Sequence, residues 1–379
     1  GTGQDLMKKT QVRVTRPEFF VWTLAAVLVF AVPSAAEAAS LYWVGSAGAN
    51  TNVAGNWNTT DPTVCAAGNA SAAPGSADVA IFDADCDSNA TINATFNVAG
   101  VNIAAGYTGI ITQNNGIAVT IGTSDFLQAD GTFTGGDSTS SVDCNDAIAI
   151  SAGTFNAPGG TLFVAGAFTI SGTGAFAEGT GTVTFDGTGT TVDVNSTETF
   201  NNLTLSATGD SINRTVADND TLTVTGTLTL TQGQIHQAIV PAAGSIDAQG
   251  GVTHGAGFDG GNGSNGRINI TGAGTRTINL TGAGLMPTTT LNAANVTMNG
   301  PSSGTTAFDG AFTLDAGIFT GGVGSVDFNS TVTLNGGTFT APSGTAFMGG
   351  AFTVGASGSF SESTGTVTFD GGSATIDVN

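Results

Sequence analysis

Positive charge is nearly missing from this chain. It has 7 Lys and Arg among 379 residues against 28 Asp and Glu, a formal net charge of −21. A surface so poor in basic groups repels phosphate backbones and anionic headgroups, which excludes a nucleic-acid or membrane-surface partner. Histidine is scarce too. His236 and His254 are the whole supply, and their spacing fits no zinc site. Gly is abundant, at 58 residues, but has no Gly-X-Y period, which excludes collagen. An apolar content of 40% with 23 Phe excludes a disordered chain. The three cysteines cannot all pair within one chain.

What is present begins with a leader. Met7 to Ala38 reads as a bacterial secretory signal, with Lys8, Lys9, Arg13 and Arg16 as its positive start and Val21–Val32 as its apolar stretch. That stretch is short for a membrane span. Ala36-Glu37-Ala38 offers a small-x-small cleavage site. The residues before Met7 read as translated upstream sequence, so residues 1–38 stand apart from the fold. Without them the chain has three basic residues, Arg214, Arg267 and Arg276, no lysine and no membrane span. Such acidity suits solubility outside the cell and weak binding of divalent cations.

The rest repeats itself. Ser141–Asn195 aligns with Ser325–Asn379 without a gap, and more than half the positions are identical. Substitutions keep apolar positions apolar: Ile150 becomes Leu334, Ile170 becomes Val354 and Val192 becomes Ile376. A finer period lies inside. "GTFTGG" at Gly131, "GTFNAP" at Gly153 and "GAFAEG" at Gly174 are 22 and 21 residues apart. Each such stretch splits into three pieces of about seven residues, a short strand and a glycine corner. Within "TVTF" the alternation points Val183 and Phe185 inward, together with Val192 and Val194. Val367, Phe369, Ile376 and Val378 are their equivalents.

Three short strands per turn predict an all-β parallel β-solenoid of about 21-residue coils, with a β-rich N-terminal cap. Tandem β-sandwich domains are the alternative, because units of 90–100 residues also suit that fold. The organisation expected is a cap segment over 39–124 running into the first coils, a repeat block over 125–198, an irregular middle unit over 199–289 and a second repeat block over 290–379. That last block stops where a further unit is due, which reads as a fragment of a longer protein. All Trp and Tyr beyond the leader fall in the cap: Tyr42, Trp43, Trp57 and Tyr107. Trp43 and Trp57 are either buried cap packing or a sugar-stacking platform.

The Gly-Thr-Phe-Thr, Thr-Val-Thr-Phe-Asp-Gly and Phe-Asn-Asn-Leu-Thr-Leu phrases resemble those of large bacterial cell-surface repeat proteins, adhesin-like and autotransporter-passenger-like. "LYWVGSAGANTNVAGNWNTT" resembles the segment that precedes such repeats. The resemblance implies a secreted, elongated, surface-associated β protein and supplies no catalytic residues.

Motifs for chemistry are few. "GPSSG" (Gly300–Gly304) has the letters of a nucleophile turn around Ser302, but a strand follows it where a helix is required. "GFDGGNGSNG" (Gly257–Gly266) leads into a strand and reads as an insertion loop. "DADCDSN" places Asp83, Asp85, Asp87 and Asn89 in alternation, as at the start of a calcium loop, but Ser88 stands where that loop needs Gly. A loose calcium site and a solvated acidic loop are both open readings. Asp193 and Asp377 are equivalent in the two copies, which points to a repeated structural role. Cys144 aligns with Phe328 and so faces inward as a small free hydrophobe. Cys65 and Cys86 remain to form a disulfide. The function expected is a non-enzymatic structural or adhesive stalk, whose partner is an extracellular surface or matrix polymer, glycans included. A carbohydrate-binding or carbohydrate-active β-helix is the alternative.

Overall fold

Short strands separated by glycine corners wind the chain into triangular coils. A computed structural model describes residues 39–207, 213–237, 244–260, 266–372 and 375–378. The leader, half of the Gly257–Gly266 insertion and Asn379 lie outside the described residues. One coil shows the pattern. Phe126–Gln128 lies on a first face, Thr132–Thr134 on a second and Ser141–Cys144 on a third. Ile148–Ile150 then stacks parallel on Phe126–Gln128, with Phe126 opposite Ile148. The result is an all-β parallel solenoid of about 13 turns at roughly 21-residue spacing.

Parallel stacking places like side chains in columns. Val183 stacks on Leu162 and under Leu203, and Phe185 stacks on Val164 and under Leu205. All six are buried. Phe133, Phe155 and Phe176 form a stack on the second face, with ring centroids 4.8 and 5.9 Å apart. Such pairs add about 0.5–1.5 kcal/mol each beyond area burial. Outward positions carry mostly Thr, Ser, Asn and Asp.

The corners explain the glycine content. Gly153 has φ 75° and its equivalent Gly337 has φ 69°, a region that favours glycine. A Cβ on Gly153 would press on the carbonyl oxygen of Gly131 in the coil below, and one on Gly337 on that of Gly317.

The two copies of the long repeat do not lie on the same faces. Ile148–Ile150 and Phe168–Ile170 belong to the first face. Their equivalents, Val332–Leu334 and Phe352–Val354, belong to a ladder that runs unbroken from Thr197–Phe200 to Ile376–Val378. Thr197–Phe200 lies between the first-face strand Thr190–Asp193 and the third-face strand Asn202–Ser206, so this ladder is the second face. Ser141–Cys144, on the third face, likewise matches Ser325–Phe328 on the first. The second copy is therefore turned by one face of the three.

Sheets change at three joints. The first face is divided between Thr227–Gln237 and Leu285–Met286, where Asp259 makes a single bridge to Leu285, the second between Ala175–Ala177 and Thr197–Phe200, and the third between Gly251–Phe258 and Arg276–Asn279. An inward ionisable residue lies at the second-face and third-face joints. Glu198 is in register with buried Leu222, and His254 with buried Leu230.

The ends differ from the middle. Trp57–Asn58 pairs antiparallel with Ala39–Trp43, and all other ladder pairings among the described residues are parallel. Tandem sandwiches, which need antiparallel sheets throughout, are excluded. At the other end, the expected burial of Phe369, Ile376 and Val378 is not found. They are 41%, 53% and 63% exposed, because no described coil stacks over them.

Candidate functional site

The acidic run Asp83–Asn89 is a 3-10 turn over Ala84–Cys86, so its side chains do not share one side as they would in a strand. Asp83 and Asp85 come together with Asp61, their carboxylate oxygens within 4.8 Å of one another. Burial, then repulsion from Asp61 and Asp85, raises the Asp83 carboxyl above its ordinary range against a backbone donor at Asp85. Asp87 and Asn89 turn away. Asp87 accepts from the backbone and hydroxyl of Thr108 in the next coil, bonds that hold its carboxyl below the usual range. Asn89 Oδ1 accepts from the Ile110 backbone N–H at 2.9 Å. These two residues tie coils together.

Ser88 has its own task. Its carbonyl accepts from Trp43 Nε1 at 3.1 Å and from the Tyr107 hydroxyl at 2.7 Å. Trp57 Nε1 donates to Thr51 O at 2.8 Å. Trp43 and Trp57 meet edge to face at 5.2 Å and are fully buried. With no exposed ring face they cannot serve as a sugar-stacking platform; their apolar area fills the end of the core, where the first coil needs covering. Cys65 and Cys86 are joined by a disulfide beside this cluster, their Cα atoms 4.6 Å apart. Cys144 is free and buried, and burial pushes its thiol up to about 12. Its Sγ donates to the carbonyls of Asp146 and Ala147 at 3.4 Å.

The remaining motifs stay apart. His236 lies in a segment paired with Thr215 on the first face, whereas His254 pairs with Leu230 on the third. His254 is 2% exposed, with Nδ1 3.2 Å from the Thr281 hydroxyl, and burial pushes its imidazole down. Asp259 accepts from Gln234 Nε2 at 2.6 Å. Ser302 sits in an exposed corner between Thr288–Asn299 and Thr305–Phe308, with no helix behind it. Asp193 and Asp377 face outward, next to Thr169 and Thr353 in their ladders.

One feature escapes a sequence reading. Phe163 and Phe347, equivalent in the two copies, point outward, while every other described Phe occupies an inward column. Phe163 lies between Asp143 and Thr184 in the ladder, and Phe347 between Asp327 and Thr368. Burial raises the Asp143 carboxyl, and repulsion from Asp186 adds to it. Asp327 is raised the same way, by burial and by Asp370. The signal was an aromatic in a register otherwise filled mostly by Thr and Asp, hidden for Phe163 inside the apolar run "TLFV".

Comparison of the chain with protein-family models, with curated proteins and with solved structures returns no match.

Proposed function

We propose that the protein is a secreted, non-enzymatic solenoid rod, a stalk or passenger segment that displays its faces at a bacterial cell surface. The observation that carries this reading is the unbroken parallel ladder from Thr197–Phe200 to Ile376–Val378. Such a ladder is a spacer. Each coil adds ~4.8 Å, so about 13 coils span roughly 60 Å. Chemistry-bearing residues are spread along the coils: the His254 ring is sealed in the core, and the Asp61, Asp83 and Asp85 cluster lies near the Trp-bearing end, with no basic side chain beside it among the described residues. The leader motif and the resemblance to surface repeat proteins support export. The partner class is an extracellular surface or matrix polymer.

The test labels intact cells that express the full chain with an antibody raised against the rod, with and without external protease. Labelling that protease removes is expected; signal only after permeabilisation overturns the surface reading. In parallel, the purified rod is incubated with a panel of polysaccharides. No release of reducing or unsaturated ends is expected, and steady turnover would establish the carbohydrate-active alternative in its place.

A further inference from the structure

The outward Phe163 and Phe347 are misplaced by ordinary surface rules. A half-buried phenyl ring on a face of hydroxyls and carboxylates still leaves part of its apolar area in water. It occurs twice, at equivalent positions, each time with the same neighbours. Asp143 comes from the coil below Phe163, and Thr184 and Asp186 from the coil above. Asp327, Thr368 and Asp370 surround Phe347 likewise. Burial, and then repulsion from Asp186 and from Asp370, raises the Asp143 and Asp327 carboxyls. Thr184 is only 8% exposed although it points outward, so the patch is closely packed.

We propose that these two patches are docking sites for an extended lysine-rich polypeptide, and that one rod cross-links two such chains. A lysine suits both parts of the patch. Its methylene stem covers the ring, and its ammonium meets the ring face and the flanking carboxylates. Charge complementarity selects the partner: residues 39–379 contain no lysine, so a second copy of this chain cannot supply the group. The Phe163 site is the weaker one: burial raises the Asp186 carboxyl, and the nearby Arg214 guanidinium opposes that rise, so a cation already stands beside this patch. The turn by one face separates the sites. They lie about eight coils apart, roughly 40 Å along the axis, and look in different directions. A straight polypeptide along one face reaches only one of them. The proposal deepens the adhesive reading by naming a partner class.

The test is titration of the purified protein with deca-lysine, with Phe163→Thr, Phe347→Thr and the double variant. Thr already occupies the neighbouring outward rung, and a circular-dichroism melt checks each fold. The substitutions leave net charge unchanged, so diffuse attraction to an acidic rod is constant across the series. Two sites are expected in the parent. Phe347→Thr should remove the tighter one, Phe163→Thr the weaker one, and the double variant should bind at least about tenfold less tightly. With long poly-lysine, light scattering should show networks for the parent and none for either single variant. Identical binding by parent and double variant overturns the proposal, as does Phe-dependent binding of a chitosan oligomer with none of deca-lysine. Either result with protease-sensitive surface labelling intact would leave the stalk reading standing.

Discussion

The two copies of the long repeat carry nearly the same side chains and meet different fates. Val183, Phe185 and Val192 are at most 2% exposed, whereas Phe369 and Ile376 are 41% and 53% exposed. The difference is the coil above. Asn202–Ser206 and Asn213–Val216 stack on the first copy, and no described coil stacks on the second. Burial in a solenoid is thus a property of the neighbour as much as of the residue, and stability passes from coil to coil.

The sharpest test of that contrast is a pair of truncations. Phe185→Ala should cost about 3–5 kcal/mol in urea unfolding, and Phe369→Ala less than ~1 kcal/mol. Equal losses would break the comparison. A second test contrasts the stapled end with the open one. The Cys65–Cys86 bond closes a separation of 21 residues. Replacing both by Ser should cost about 3 kcal/mol in the chain-entropy model. Partial proteolysis should then start at the Trp-bearing end; unchanged cutting there would remove the staple from the account.

Glycine corners test equivalence where the copies do match. Gly153→Ala and Gly337→Ala should each destabilise by roughly 1–3 kcal/mol, since each forces a side chain into positive φ against a carbonyl. A large difference between them would mean that the faces are not interchangeable.

The smallest effect expected belongs to a joint. Burial pushes the Glu198 carboxyl up to about 7 from an ordinary 4.5, with nearby Glu178 adding to it against a backbone donor at Thr199. Below pH 4.5 the group is neutral in both states. Stability is lost as pH rises from there through 7, because the unfolded chain ionises first. Glu198→Gln should therefore melt higher than the parent at pH 8 and alike at pH 4.5. His254 pulls the other way. Its lowered imidazole contributes stability that fades as pH falls below an ordinary 6.5. A parent and Glu198→Gln with superimposable pH profiles would remove Glu198 from the joint's energetics.

Much of the solenoid was legible because two periods coincide in the text: alternation along strands such as Thr182–Phe185, and glycine corners near 21-residue spacing. The turn between copies was not legible. One strand-and-corner phrase serves every face, so only a count of strands reveals the face. Thr227–Gln237 and Thr288–Asn299 hide that count by running through two faces each. The acidic run misled for a local reason. Alternation puts side chains on one side only in an extended strand, and Ala84–Cys86 is a 3-10 turn. At the chain's last described coil, periodicity indicates which way a side chain points and is silent on what covers it.

The interchangeable faces have a genetic consequence. In most folds a duplication must insert a whole domain, or it severs a core. Here the smallest viable insertion is one strand with its corner. Unequal recombination between two "GTVTFDG" phrases, or between any two corners, leaves every column filled by a side chain of the same kind. An event that inserts one strand with its corner lengthens the rod by a third of a coil and swings everything beyond it to a new heading. A lineage can thereby redirect its surface patches without altering a single residue within them.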